Sequence, residues 1–485
     1  LIYFKLMSGF HQQFEAALTA IQSQKNKVES NQAEVFLNES AQNSFPDYLI
    51  YLSEYMKTET NKESFRIQSG ILLKNLISSK NPMVTKTWMV DVSLDKNDIL
   101  KTNLQFGLAS ENINVVKQFA SCISAICSQE FKVNSYQHIL EILSKIAADK
   151  QQQESFRQAA MLTLSNIMED VDTNDITSSY LNNIIIAIYE NVMENTADTK
   201  THSRILQAIK TLKFSLKGFD FLIQQSESRE NILNMIYTTY SYDGVQFKLE
   251  ALKCLTEYAK YYYVYLGDSI AKCYEITSQV ITSSNIQELI IEAFEFWITL
   301  SSNEKKLIKH NLQCNYFISS CEKELFEFCT NCIENTDKED FQEEDTQFPY
   351  RSAILLLYNM SKCSSELFID LVLNKVNTLM TQDNLKIYIG LSLFASICNT
   401  RYQSKIVDIF INSLSSILNY IGSDIVLLRR TTVSIMIPVA ELYFEKIGIE
   451  NVDFFLKTLI KHLQIETDAI TLGQLCYCSH TVFKN

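Results

Sequence analysis

The sequence predicts an all-α chain built as a solenoid of stacked helix pairs. The segment FRIQSGILLKNLI, from Phe65 to Ile77, carries apolar residues at the 3.6-residue period of a helix face. Segments that open with an aromatic residue followed by a base recur at Phe156, Phe247 and, more loosely, Tyr350. The first three start 91 residues apart. A fixed period of this kind is the mark of a repeat array.

The period and the composition specify the class of repeat. Half of the spacing falls in the range of roughly 40–47 residues typical of paired-helix HEAT or armadillo repeats. The 485 residues exceed the size of roughly 250–300 residues at which a single core stops growing, whereas a repeat packs only on its neighbours. Only 10 Gly and 4 Pro are present, which leaves few residues for hairpins. We predict one continuous HEAT-repeat α-solenoid over residues 1–485, with about ten to eleven repeats.

Helical spacing can be followed along the chain in order. A first helix is predicted from His11 to Lys27, and Pro46 marks the start of a later helix because proline is favoured in the first turn. The pattern then runs through residues 9–130, continues through middle repeats at 131–333 and resumes at 350–485. The final residues, HTVFKN, show no polar capping repeat. We therefore expect the array to continue beyond Asn485, and Met7 is a candidate initiator.

An acidic segment, residues 334–349, interrupts the repeats. It holds one base, Lys338, and seven acids: Glu334, Asp337, Glu339, Asp340, Glu343, Glu344 and Asp345. One interpretation is a solvated loop, the usual role of a charge block; the other is a docking loop for a basic protein surface. The segment lengthens the spacing to the fourth copy to 103 residues. Because insertions in repeat arrays often map to the binding face, we favour the docking loop.

Charge and motif content exclude several classes of function. The net charge of −13 and the pI near 5.1 argue against a nucleic-acid partner, which needs a basic face, and suit basic protein partners. The sequence contains no run of 18 apolar residues, so we predict no membrane span. The six His are scattered, and neither a phosphate-binding glycine loop nor an HExxH or GxSxG motif is present. We therefore predict no catalytic residues, no cofactor and no enzymatic activity.

The 12 Cys indicate free thiols rather than a metal site. Most lie inside apolar helical runs, which is typical of buried thiols in a reducing compartment. Cys329 and Cys332 have the CxxC form, with Cys314 and Cys321 nearby, so a zinc site is one interpretation. The alternative is that Cys321, Cys329 and Cys332 share a core-facing helix face. We favour the core, because a structural zinc site usually has two close ligand pairs.

An apolar cluster in the middle repeats also allows two interpretations. Ile184, Ile185, Ile186 and Tyr189, with Ile232 and Leu233 two helices later, cover too wide an arc for a single stripe. They are either ordinary core between neighbouring repeats or an exposed groove that accepts an aromatic side chain from a partner peptide.

The order and spacing of many short matches resemble the importin-β family of nuclear transport receptors. The resemblance begins with Ala33-Glu34, Leu37, Phe45, Leu49, Leu52, Arg66, Gly70 and Leu73-Lys74-Asn75. It continues through Trp88, Val115 to Ser128, Met168 to Asp172, Tyr262, Tyr263, Tyr265 and Glu295-Phe296-Trp297, and the acidic segment falls where the family has an acidic loop. The similarity covers about the first half of a full-length family member.

The resemblance implies a monomeric receptor that carries basic protein cargo, directly or through an importin-α-type adaptor, through the nuclear pore between cytoplasm and nucleus. The GTP form of Ran would release the cargo by binding residues 9–130 and the acidic loop, at Lys74, Asn75, Lys80, Gln118, Ser121, Cys122, Glu339, Asp340, Glu343, Glu344 and Asp345. Phe-Gly repeats of nucleoporins would bind at Ile185, Ile186, Tyr189, Ile232 and Leu233, and cargo or adaptor at Phe348 and Tyr477.

The sequence also departs from the family. Phe348, Ser434 and Tyr477 stand where the family grips its adaptor with tryptophans, and Arg429-Arg430 puts a base where it tends to have an acid. Because cation–π contacts are best with Trp, the departures favour direct cargo binding. The alternative function is a HEAT-repeat scaffold for complex assembly or trafficking, which would not distinguish the nucleotide state of Ran.

Overall fold

The computed structural model describes residues 2–23, 26–194, 199–342, 347–380 and 383–484. Within these residues the chain forms 25 α-helices joined by short turns, and no β-strand is present. Three of the helices, near residues 88, 220 and 317, have only four residues, and the other 22 follow one another as eleven consecutive pairs. The predicted all-α fold is confirmed, and the number of pairs agrees with the expected number of repeats.

Contacts divide the chain into two compact units, residues 1–254 and 255–485. The first unit contains α1 (Ile2–Ser23), α2 (Lys27–Asn43), α3 (Phe45–Lys57), α4 (Glu63–Ile77), α5 (Trp88–Asp91), α6 (Leu94–Gly107), α7 (Ile113–Glu130), α8 (His138–Ala148), α9 (Glu154–Asp170), α10 (Ser178–Val192), α11 (His202–Ser215), α12 (Asp220–Ile223), α13 (Ser226–Ser241) and most of α14 (Val245–Tyr262).

The second unit continues the same alternation of helices. It contains α15 (Ile270–Ser283), α16 (Gln287–Lys309), α17 (Phe317–Ser320), α18 (Glu322–Glu334), α19 (Pro349–Met360), α20 (Glu366–Leu379), α21 (Asn384–Ile397), α22 (Gln403–Leu418), α23 (Val426–Pro438), α24 (Ile449–Ile465) and α25 (Ala469–Lys484). The boundary between the units falls inside the predicted middle repeats, a position that the sequence did not indicate.

The second helices of successive pairs pack on one another and form a row in each unit. In the first unit this second-helix row is α4, α7, α9 and α11, and in the second it is α16, α19, α21, α23 and α25. The first helices of the pairs stack separately, as α3 does on α6 and α8 on α10. The recurring sequence template lies on α4, α9, α14 and α19. It therefore occurs on the second helix of every other helix pair.

Both predicted bounds of the first helix are wrong. The helix expected from His11 to Lys27 runs from Ile2 to Ser23, and α2 begins at Lys27. Asn26 explains the new start, because its side-chain oxygen accepts a bond from the main-chain N–H of Val28 at 3.0 Å. An Asn in this position satisfies an otherwise unpaired N–H of the first helical turn.

Trp88, one of the residues that carries the family resemblance, has a structural role. Its ring is buried, and its Nε1–H donates to Glu130 Oε1 at 3.1 Å. Glu130 is also buried and accepts bonds from Asn97 at 3.0 Å and Lys101 at 2.6 Å. Burial alone would raise the pKa of Glu130, but the bonds from Lys101 and Asn97 outweigh it and lower the pKa. The charged carboxylate thus joins α5, α6 and the end of α7.

Candidate partner-binding surfaces

The residues expected to contact Ran in the first unit lie along the seam between α4 and α7. The seam is close because of Gly70: a Cβ added there would lie 2.4 Å from Gln118 Cβ. Lys74 and Asn75 on α4 and Gln118 and Ser121 on α7 are all half-buried beside this contact. Because α4 packs on α7, these four predicted residues lie on two adjacent helices of the second-helix row.

Lys80 belongs to the same region through the cap that ends α4. Ser79 adopts the left-handed conformation, with φ of 52°, and the main-chain N–H of Lys80 donates to the Asn75 carbonyl at 3.0 Å. This is the geometry of a helix C-terminal cap, which satisfies a carbonyl of the last turn. The Lys80 side chain is exposed just beyond the end of the helix.

Cys122 does not belong to the exposed surface, and its predicted role in contacting Ran is corrected. The side chain is fully buried, and its thiol donates to the Gly70 carbonyl at 3.4 Å. Burial raises the pKa of this thiol to about 12, so it stays neutral. Its function is to pack α7 against α4.

An apolar stripe on α10 carries the predicted nucleoporin site. Ile186, Tyr189 and Met193 are 58%, 41% and 45% exposed. Their spacing of three and four residues puts them on one face of the helix, and Ile185 beside them is half-buried. Exposed apolar residues grouped in this way are typical of a surface that binds a partner.

The other half of the predicted groove is core. Ile232 and Leu233 on α13 are buried, so their expected contact with Phe-Gly repeats is corrected. Ile184 is also buried, facing away from the stripe. Each interpretation of the cluster therefore holds for part of it. Ile186 and Tyr189 on α10 form exposed surface, whereas Ile232 and Leu233 on α13 belong to the core.

The acidic segment is partly built into the second unit. Glu334 is the last residue of α18 and forms ion pairs with Lys375 and Lys386, so it is not available as a docking acid. Glu339 is exposed and Asp340 half-buried. Three further acids expected to contact Ran, Glu343, Glu344 and Asp345, lie outside the described residues.

Phe341 anchors the segment, a contact that the charge pattern did not reveal. The ring is buried, with its centroid 4.5 Å from that of Tyr350 and 5.2 Å from that of Tyr388. In the sequence, the only indication of this contact is that Phe341 is an apolar residue between Asp340 and Gln342. The anchor holds a short 3₁₀ turn, Asp340–Gln342, against α19 and α21.

Phe348, which was predicted to bind cargo, is buried. Its expected role as an exposed side chain that contacts cargo is therefore corrected. Phe348 instead lines a cleft of about 510 Å³ together with Ile290, Phe328, Asn335 and Asp340. Polar groups of the acidic segment thus form one wall of the cleft and apolar side chains of α16 and α18 another.

Tyr477, the second predicted cargo residue, remains accessible. Its side chain on α25 is 53% exposed, and its hydroxyl donates to Glu441 at 3.0 Å. An aromatic ring next to a carboxylate is a suitable contact for a basic side chain.

The cysteine cluster does not form a metal centre in the described part of the chain, where no group of three or more His, Cys, Asp or Glu side chains has the arrangement of a metal site. Cys329 on α18 is buried in the core, and burial raises the pKa of both Cys329 and Cys332.

No helix among the described residues is both long and apolar enough to cross a bilayer.

Comparison with known proteins shows which family the chain resembles. Residues 33–123 match the family model of the importin-beta N-terminal domain. Over 417 residues the chain is 22% identical to importin subunit beta-1 of Saccharomyces cerevisiae, covering 82% of this chain and 47% of that relative. The chain thus spans about half the length of the curated relative.

Solved structures agree in fold. Yeast importin-beta (Kap95p) aligns with a TM-score of 0.81 at 20% identity, covering 98% of this chain and 56% of that chain. A Kap95:Nup1 complex aligns with a TM-score of 0.76 at 19% identity, with the same coverage. A third structure, in which Kap95p binding induces the switch loops of RanGDP to adopt the GTP-bound conformation, aligns at 0.75 and 20% identity, again over 98% and 56%.

These alignments confirm the predicted HEAT-repeat solenoid. The residues that carried the resemblance at the amino-terminal end, from Ala33 to Gly70 and on to Ile123, fall inside the matched domain. The chain is similar to importin-β proteins over most of its length, and its residues 33–123 match the model of their N-terminal domain.

Proposed function

We propose that this chain forms part of a nuclear transport receptor that binds Ran, Phe-Gly nucleoporins and protein cargo. The observation that carries the proposal is the importin-beta N-terminal domain at residues 33–123, within a fold that aligns with yeast importin-beta over 98% of this chain. The Ran and Nup1 complexes of Kap95p support the two partner classes. The receptor performs no catalysis and moves between cytoplasm and nucleus through the pore.

Ran binds the α4–α7 seam in this proposal. Lys80 is exposed, and Lys74, Asn75, Gln118 and Ser121 supply further polar contacts along two adjacent helices. Ran also contacts the acidic segment at Glu339 and Asp340. Residues on rigid helices suit such a site, because little conformational entropy is lost when the partner binds.

Phe-Gly repeats bind the α10 stripe, where Ile186 and Tyr189 offer an apolar surface for an inserted phenylalanine and Met193 extends it by one turn. Basic cargo binds the exposed ring of Tyr477 and the acidic wall of the cleft, formed by Asp337 and Asp340. Ran and cargo each favour a different arrangement of the repeats, so binding of one lowers the affinity for the other.

A nucleotide-dependent pull-down tests the proposal. The full chain is expected to retain Ran loaded with a non-hydrolysable GTP analogue much better than Ran loaded with GDP. Lys80→Glu should weaken this binding by about tenfold through the loss of one charged contact and added repulsion. The matched control is Lys145→Glu, an exposed lysine on α8 in the same unit. Equal retention of both nucleotide forms, or equal effects of the two variants, would contradict the Ran assignment.

A further inference from the structure

The end of α16 and the loop that follows it carry positive charge without any acid. Residues 305–321 include the lysines Lys305, Lys306 and Lys309 and no Asp or Glu, in a chain whose net charge is −13. Lys306 and Lys309 belong to the last turn of α16, and both are exposed. Lysines in a last turn interact favourably with the helix dipole, and on the surface of an acidic chain they also attract acidic partners.

The main chain turns sharply after α16 and places Leu312 beside the last turn of the helix. Asn311 adopts the left-handed conformation, with φ of 54°, and its N–H donates to the Ile308 carbonyl at 3.1 Å. The N–H of Leu312 donates to the Leu307 carbonyl at 2.9 Å. These two bonds form the cap typical of a helix that ends at a left-handed residue. Leu312 is thus fixed next to the turn that carries the lysines, and its side chain is 58% exposed.

The rest of the loop is held by a buried network. Tyr263 is buried, and its hydroxyl donates to Glu304 Oε1 at 2.8 Å and accepts from the main-chain N–H of Asn315 at 3.0 Å. Glu304 is fully buried on α16, and its Oε1 also accepts from the main-chain N–H of Ile318 at 3.3 Å. The loop is therefore anchored on both sides of Tyr316.

Tyr316 has a strained main chain and an accessible side chain. Its φ is 55°, a left-handed conformation that bulky residues rarely adopt. The side chain is 50% exposed, so burial of the ring does not offset the strain. Strain of this kind persists where the surrounding structure imposes it, and it is concentrated at functional sites. Tyr316 and Leu312 thus present an aromatic and an aliphatic side chain on one anchored loop.

We propose that Lys306, Lys309, Leu312 and Tyr316 bind an acidic segment of a partner protein that also carries apolar side chains. Charge complementarity favours this partner, because carboxylates form charge-assisted hydrogen bonds with the two ammonium groups. The apolar side chains of the partner cover Leu312 and the Tyr316 ring. An uncharged segment would leave the lysines unused, and a free phosphate would leave Leu312 and Tyr316 unused. The site does not depend on the proposed transport role.

The test titrates the full chain with a fluorescently labelled synthetic peptide of glutamates with two leucines. Wild-type protein is expected to bind this peptide at least about tenfold more tightly than peptides in which lysines replace the glutamates or serines replace the leucines. Lys306→Gln, Lys309→Gln and Leu312→Ser should each weaken binding about three- to tenfold.

Two matched controls should leave the affinity unchanged. Lys145→Gln removes an exposed lysine from the last turn of α8, and so repeats the change in the helix dipole at another site. Ile465→Ser on α24 removes an aliphatic side chain that, like Leu312, is 58% exposed.

Tyr316→Gly separates binding from a structural role. Because glycine adopts a positive φ without strain, this variant should unfold at or above the wild-type temperature, while its affinity for the peptide falls about tenfold. Unchanged affinity in Tyr316→Gly, an equal loss in the Lys145→Gln control, equal binding of the serine peptide, or displacement of the peptide by inorganic phosphate alone would overturn the proposal. The variants of the exposed Lys306 and Lys309 keep the binding test valid if Tyr316→Gly fails to fold.

Discussion

Arg66 and Arg157, which stand at the same position of the repeated template, make the same hydrogen bond. Each Nε–H donates to the main-chain carbonyl ten residues earlier, Met56 at 2.6 Å and Ala147 at 3.2 Å. Both carbonyls lie in the last turn of the preceding helix, where carbonyls lack a partner within the helix. The repeated base therefore joins the end of the first helix of a pair to the start of the second.

Removing either guanidinium should destabilise its repeat. Arg157 is buried and also forms an ion pair with Glu194 at 2.7 Å, so Arg157→Leu leaves a carbonyl and a carboxylate without this partner. We expect a loss of about 1–3 kcal/mol, the usual cost of unsatisfied buried polar groups. Thermal unfolding followed by circular dichroism measures it as a lower melting temperature.

The control for this prediction is Lys457→Leu, which removes an exposed lysine paired with Asp453 on the surface of α24. Surface ion pairs contribute about 0–1 kcal/mol, so this variant should unfold near the wild-type temperature. If Arg157→Leu behaved in the same way, the bond to Ala147 would not stabilise the helix pair.

Gly70→Ala should separate α4 from α7. Its new Cβ would lie 2.4 Å from Gln118 Cβ and 3.0 Å from the methyl carbon of Met56, too close for either atom. We expect destabilisation by about 1–3 kcal/mol, as for other overpacked contacts. Gly473→Ala on α25 is the matched control, since nothing lies within 4 Å of its Cβ position, and it should stabilise its helix by about 0.5–1 kcal/mol. Denaturant unfolding with opposite shifts for the two variants would support this assignment; shifts in the same direction would refute it.

Ile186→Asp should abolish binding of Phe-Gly peptides without affecting the fold. The side chain is already largely in water, so the change in stability should stay within about 0.5 kcal/mol. Affinity should fall at least about tenfold, because a charge then occupies an apolar contact. Ile411→Asp on α22, where the isoleucine is 45% exposed, is the control. Peptide titration at constant ionic strength compares them, and retained binding by Ile186→Asp would locate the site elsewhere.

The fold was predictable because its signals are local. The 91-residue spacing of Phe65, Phe156 and Phe247 and the scarcity of glycine and proline are visible in the sequence. The surfaces were less predictable, because the width of an apolar arc does not show which part a neighbouring helix covers. Ile186 and Ile232 illustrate this, because both belong to the same apolar cluster in the sequence but Ile186 is exposed and Ile232 is buried.

Long-range contacts were invisible in the sequence. Trp88 and Glu130 are far apart in the sequence and meet only because α5 packs on α7. Phe341 was obscured by the acids around it, and its burial depends on Tyr350 and Tyr388 from two other helices. The role of the template arginines is also absent from the sequence, because a main-chain carbonyl can accept a hydrogen bond whatever the side chain of its residue.

Acidification should weaken the contact between α23 and the start of α25. Arg430 binds Asp468 through two bonds of 2.7 and 2.9 Å, and this pairing holds the pKa of Asp468 well below its usual range. A lowered pKa in the folded state stabilises the protein above the unfolded value, about 3.9 for Asp, and this stabilisation is lost as pH falls below it. The melting temperature of Arg430→Gln should therefore lie below that of wild type at pH 7, and the difference should shrink below about pH 4. Scans across this range test the assignment, and a difference that stays constant with pH would show that the ion pair does not contribute.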